Sequence, residues 1–171
     1  MYDPTVFENL KVAFENKIYD LDTIDREVTI RNRSDLMDFA TLTRKLSIQF
    51  TLLHQKDVSA EVVLQTSLQD LADEILETPD KDPGCSLTLH FTKSVQQVDE
   101  QCRQIEEALN VIWENDIKVT QTLSFEYGDE SPGYLNLIEV KFNTKINEEH
   151  MQEIPDFLHS VLLTLGVLNS I

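Results

Sequence analysis

The chain is poor in glycine. Only Gly84, Gly128, Gly133 and Gly166 occur in 171 residues, and no two are spaced as a phosphate-cradling loop requires. Walker loops and dinucleotide fingerprints need clustered glycines so that backbone N–H groups can approach an anion. The large nucleotide-using enzyme families are therefore excluded. Positive charge is scarce as well: fourteen Lys and Arg stand against thirty-one Asp and Glu, a net charge of −17. Such a chain repels nucleic acid, whose non-specific binding rests on phosphate neutralisation, and it repels anionic lipid heads. We therefore expect no direct nucleic-acid contact and no membrane contact. Two cysteines, Cys85 and Cys102, build no disulfide framework. The most apolar stretch, residues 157–171, contains His159, Thr164 and Asn169 and is too short and polar to span a bilayer. The first residues carry neither a basic cluster nor an apolar run, so the expectation is a cytoplasmic protein without a secretory leader.

What is present is an ordinary globular composition, 41% hydrophobic and 26% charged. A chain of this length buries roughly 70% of its unfolded surface and needs no metal or disulfide to hold a core. One α+β domain over residues 1–171 is expected. The Pro- and Gly-bearing loop at residues 78–84 is the one place where a boundary would fall.

Periodicity assigns the elements. Residues 4–18 read as a helix, with Asp3 as N-cap, Pro4 at the first turn and Val6, Phe7, Leu10, Phe14 and Ile18 as its stripe. Residues 27–31 and 45–52 alternate as strands, with a single turn carrying Leu36, Met37 and Phe39 between them. Residues 59–77 show a helical stripe of Val62, Val63, Leu68, Leu71, Ala72, Ile75 and Leu76. Residues 86–92 read as a strand and 95–114 as a helix. Residues 117–127 and 134–142 form a hairpin in which the apolar parity shifts near Leu137, as a bulge would cause. A last helix starts near Asn147 and restarts at Pro155. The predicted order is α-β-β-α-β-α-β-β-α, a largely antiparallel sheet of about five strands with helices on one face. Lys56, Lys93 and Lys145 each precede a predicted helix, which hints at a β-β-α duplication. The wet sheet face should be rich in hydroxyls: Ser47, Thr51, Ser86, Thr88, Thr92, Thr120, Thr122 and Ser124.

Candidate chemistry is sparse. His54, His90, His150 and His159 show no pair at the three- or four-residue helical spacing that zinc needs, so neither metal nor cofactor is expected. Cys102 falls on an apolar stripe, where cysteine is usually inert filler, and Cys85 at a strand entrance is expected to be exposed. In an acidic chain the bases between residues 26 and 56 stand out. Arg31 and Arg33 would share a strand face and Arg44 would approach them from the next strand, an arrangement able to clamp a carboxylate or phosphate. The structural alternative is that these bases neutralise acidic helices. Phe157, Val161, Leu165 and Leu168 belong to a helix apolar on more than one face, which suits either the chain's own core or a homodimer seam.

In size, acidity and α/β layout the chain is similar to the small dimeric secretion-chaperone fold, with an extra helix after residue 93. Three function classes follow. The first is a non-enzymatic interaction module, adaptor- or chaperone-like, with a protein partner or a second copy of itself. The second is an acidic decoy that occupies a basic nucleic-acid-binding protein. The third is an enzyme that uses the Arg31, Arg33 and Arg44 site, with His54 or His90 as acid–base.

Overall fold

The computed structural model describes residues 5–114 and 116–171; the expected cap at Asp3 and Pro4 lies outside them. Helix α1 (Thr5–Thr23) buries Phe7, Leu10, Phe14 and Ile18 completely or nearly so, the stripe that its 3.6-residue period predicts. Strands β1 (Val28–Asp38), β2 (Thr43–Leu52) and β3 (Ser59–Thr66) follow as an antiparallel meander. A short helix α2 (Leu68–Ile75) leads to β4 (Ser86–Val95) and helix α3 (Val98–Ile112). Strands β5 (Ile117–Ser124) and β6 (Tyr134–Phe142) form a hairpin. A 3-10 turn at Glu148–Glu153 precedes α4 (Ile154–Ser170), which restarts with Pro155 in its first turn, where a missing N–H costs nothing. All strand pairings are antiparallel in one six-stranded sheet of order β1-β2-β3-β4-β6-β5.

The architecture is the expected α+β arrangement, with one strand more than predicted. The 59–77 helix is corrected: its first half is β3, and only Leu68–Ile75 is helical. β3 sits inside the sheet and buries Ala60, Val62 and Leu64 on one face and Val63 on the other. With apolar Val63 on the second face β3 loses strict alternation, so its apolar run imitates a helical stripe. Ser67 caps α2, its Oγ accepting the Asp70 N–H at 3.1 Å. Since Ser59 opens a strand, Lys56 does not mark a strand-to-helix junction and the proposed repeat loses that member.

β1 also runs longer than predicted, absorbing the single turn expected around Leu36 and Met37; the chain reverses only between Asp38 and Thr43. The bulge expected at Leu137 is absent, because β6 keeps a continuous register with both neighbours. The parity shift has another cause: Ile138 and Val140 are buried, while Leu135 and Leu137 lie exposed on the opposite face. The sheet's recorded register shift is in β1, between Ile30 and Asn32.

The core lies between α1, α3, α4 and one face of the sheet. Leu46, Ile48, Phe50, Ala60, Val62, Leu64, Leu87, Leu89, Phe91, Ile138 and Val140 meet α1's stripe, Ile105 and Leu109 of α3, and Leu158, Val161, Leu165 and Leu168 of α4. A ring cluster closes one end: Phe157 lies 5.5 to 6.0 Å from Trp113, Phe142 and Phe14 between centroids. Among the described residues, no helix is long and apolar enough to cross a membrane.

Candidate functional site

Alternation fixes which side chains stand on the face away from the helices. Every hydroxyl residue expected there is on it, and the strand register arranges them into rows running across the sheet. One row reads Thr29, Thr51, Ser59, Thr92, Leu137 and Thr122, one residue from each strand. The next reads Asn32, Gln49, Glu61, His90, Glu139 and Thr120, and a third reads Ser34, Ser47, Val63, Thr88, Lys141 and Lys118. Such directly opposed cross-strand pairs are the units that stabilise a sheet.

The charge on this face is balanced. Its strand residues include Lys45, Lys118 and Lys141 against Asp38, Glu61 and Glu139, in a chain of net −17. The excess acid lies elsewhere. His90 sits between two carboxylates in its row, with Nε2 3.2 Å from Glu139 Oε2. Burial works against the Glu139 charge, but hydrogen bonding from His90 and the nearby Lys141 hold its carboxyl below the usual range. Thr51 Oγ1 is buried on the same face without a hydrogen-bond partner.

The open face carries apolar side chains at one end, Leu135 and Leu137, exposed on β6. At the adjoining β5–β6 turn Phe125, Tyr127 and Tyr134 are also exposed, Tyr134 on the helix-side parity opposite Val95. Phe125 meets Tyr134 edge-on, with centroids 5.9 Å apart. A hollow of about 660 Å³ opens here, lined among others by Ser94, Ser124, Phe125, Pro132, Tyr134 and Leu135. Exposed apolar clusters of this kind mark interaction sites more often than isolated surface leucines do. The residues could be read from the sequence; their shared location could not, since it depends on which parity faces the helices.

The arginines do not form the expected clamp. Arg33 and Arg44 both point to the helix side and are held there by carboxylates. Arg33 Nε donates to Glu15 Oε1 at 3.0 Å, and the same guanidinium pairs with that carboxylate through its second nitrogen. Arg44 is 8% exposed, lies over the Phe7 ring, and pairs with Asp35 at 3.1 Å and Glu8 at 3.4 Å. Lys11 completes the group at 2.8 Å from Asp35. Although burial opposes it, Lys11 and Arg44 hold the Asp35 carboxyl below its ordinary value. Arg31 is the extra residue of the β1 bulge and is left unpaired in the ladder, so it does not join them. The group ties α1 to the sheet: Glu8, Lys11 and Glu15 come from α1, Arg33 and Asp35 from β1 and Arg44 from β2.

The other candidates have structural places. Val161, Leu165 and Leu168 are wholly buried in the chain's own core and have no surface to offer a second copy, while Phe157 is half-buried in the ring cluster. Cys85 is corrected from exposed to buried, at 1% exposure. Its backbone bridges to Ile146, and burial pushes its thiol up to about 12, with Asp70 and Glu74 adding to the rise. A thiol in that state is inert. Cys102 is half-buried, and burial raises it also. His150 Nδ1 accepts the Asn147 N–H at 3.0 Å and closes the 3-10 turn, whereas His54 and His159 are exposed. Among the described residues, no three His, Cys, Asp or Glu are grouped to hold a metal.

Comparison with protein-family models, curated proteins and solved structures finds no match to this chain.

Proposed function

We propose that the protein is a non-enzymatic interaction module that receives a protein partner on the open face of its sheet. The observation carrying this reading is the division of the molecule. The helices cover one face of a continuous six-stranded sheet, and the other face is uncovered, charge-balanced and carries exposed Leu135 and Leu137, with Phe125 and Tyr127 exposed at the adjoining β5–β6 turn. A partner would dock an apolar anchor at the β5–β6 end and exchange hydrogen bonds with the hydroxyl and carboxamide rows. Apolar cores with polar surroundings are the usual anatomy of such contacts. The arginine-based enzymatic reading is weakened because Arg33 and Arg44 are already held by Glu15, Asp35 and Glu8.

Affinity capture with the whole chain tests the reading when two variants are compared. Leu135→Lys with Leu137→Lys alters the open face, and Val111→Lys alters α3, where the native side chain is 79% exposed. The expected result is a stoichiometric partner retained by wild type and Val111→Lys and lost by the sheet-face variant. Capture lost only with the helix-layer change would overturn it. A basic nucleic-acid-binding partner held regardless of the sheet-face change would instead support a decoy acting through the acidic helix layer.

A further inference from the structure

The two edges of the sheet are finished differently. β1 is bulged at Arg31, and the N–H groups on either side of the bulge are taken by side chains: Ile30 N–H donates to Asp22 Oδ2 at 3.1 Å, and Arg33 N–H donates to Asn32 Oδ1 at 3.0 Å. Bulges and capped donors are the standard means of preventing a further strand from adding. β5 has neither. It pairs with β6 without a register break, contains no proline and no acidic residue, and alternates half-buried and exposed residues from end to end. Among the described residues, no hydrogen bond reaches the backbone of its outer side. An edge left in this state is a template for strand addition.

We propose that a second copy of this chain occupies that edge, with the two β5 strands pairing antiparallel about a two-fold axis at Gln121. This proposal does not depend on the partner reading above. The sequence of β5 is self-complementary in this register. Val119 meets Leu123 on the helix side, Thr120 meets Thr122 on the open side, and Lys118 meets Ser124 at each end, so within the strand apolar meets apolar, polar meets polar and no two charges are opposed. The axis keeps both helix layers on one side and both open faces on the other, giving one sheet continuous across the two copies. It also accounts for an otherwise costly side chain. Phe125, 74% exposed in the single chain, continues the line of β5 and falls opposite Ile117 of the second copy. Within β5 the only charge is Lys118, but just beyond the strand the same register sets Asp116 of one copy opposite Glu126 of the other at each end, a like-charge contact that weakens the seam at low salt. A seam one strand long is short by the standard of permanent interfaces, so the dimer is of modest affinity. Salt strengthens it by screening the repulsion between two acidic bodies.

The test is the solution mass of the whole chain by light scattering at tens of micromolar, at low and high salt. The expected mass is twice 19.7 kDa, more fully reached at high salt. Thr120→Glu with Thr122→Glu puts four carboxylates across the axis and should weaken self-association at least tenfold, and Thr120→Lys with Thr122→Lys should do the same. Mixing the two variants should restore the dimer mass, which also shows that both are folded. The register has its own readout. Directly opposed strand residues lie about 4.5–5.5 Å apart at Cα, within disulfide reach. Thr120→Cys mixed with Thr122→Cys should therefore cross-link on oxidation, while each alone does not. A monomeric wild type overturns the proposal. So does a dimer indifferent to both charge variants, or one that fails to give the mixed cross-link.

Discussion

Breaking the Asp70–Lys145 ion pair from its two ends should have unequal consequences. Lys145 Nζ lies 2.7 and 2.8 Å from the two oxygens of Asp70, and Ser67 Oγ donates to one of them at 2.7 Å. The carboxylate side chain is 10% exposed but the lysine is 54% exposed. Asp70→Asn returns an exposed ammonium to water and keeps an oxygen for Ser67, so the loss should be about 0.5–1 kcal/mol, the scale of a partly exposed pair. Lys145→Met strands a buried carboxylate. A fully buried orphan costs about 3–5 kcal/mol. Here Ser67 and the Gly84 N–H still serve the carboxylate, so about 2 kcal/mol is expected. At about 2–4 °C per kcal/mol for a domain of this size, Lys145→Met should melt some 4–8 °C below wild type and Asp70→Asn no more than about 4 °C below. The pH dependence adds a check. Burial opposes ionisation of Asp70, but Lys145 and Ser67 outweigh it and hold its carboxyl below the ordinary value. Its contribution is therefore present above about pH 3.9 and lost as pH falls through the lowered folded value. Without Lys145 the burial effect is no longer offset, the carboxyl moves up, and protonation relieves the buried charge sooner. The gap between Lys145→Met and wild type should narrow as pH falls from 7 toward about 4. Thermal unfolding followed by circular dichroism at several pH values measures all three proteins. A Lys145→Met loss no larger than that of Asp70→Asn would refute the reasoning, as would a gap that does not change with pH.

Two further expectations concern the fold. Gly166 lies inside α4 with nothing within 4 Å of an added Cβ, so Gly166→Ala should raise stability by about 0.5–1 kcal/mol through the unfolded chain's entropy and helix propensity. At Gly133, by contrast, φ is +102° and a Cβ would lie 2.6 Å from the Val95 carbonyl oxygen, so Gly133→Ala should cost at least about 1 kcal/mol in the same urea titration. Asp35→Asn should cost about 1–3 kcal/mol at pH 7, because the Lys11 and Arg44 side chains are largely buried and lose their shared carboxylate. The deficit should shrink as pH falls through the lowered folded value of Asp35, where the wild-type carboxyl loses its charge too; a constant deficit would assign the effect to packing.

Much of this was legible where one side of an element is wet. The stripe Phe7, Leu10, Phe14 and Ile18 and the alternation Leu46, Ile48, Phe50 are both in place, and all eight hydroxyl residues expected on the open face stand there. Reading failed where tertiary context overrides period. β3 carries an apolar residue, Val63, on the open face as well, so Val62, Val63 and Leu64 run together and imitate a helix; the visible signal was Ser67 followed by Asp70, a cap placed halfway along the supposed helix. The second half of β1 looked like a turn because Arg33 and Asp35 are polar on the inner face, and only their partners Glu15, Lys11 and Arg44 make that acceptable. For the same reason the basic character of residues 26–56 was plain while its use was not. Leu135 and Leu137 misled in another way: apolar residues on an exposed face break the assumption that apolar means inward, and this is what marks the candidate site.

The strand order bears on how the chain reaches this structure. From β1 to β4 each new strand pairs with the one made before it, but β4's other neighbour is β6, not β5. The chain leaves β4 through α3, lays down β5 out of contact with the existing sheet, and only then returns with the strand that joins them. Local hairpin closure takes about 1–10 μs, so β5 and β6 can arrive as a finished pair and dock through β6 alone. Until they do, β4 is a growing edge with Leu87, Leu89 and Phe91 beside it, and this interval is the point in folding at which the chain is most open to misassembly with its own copies.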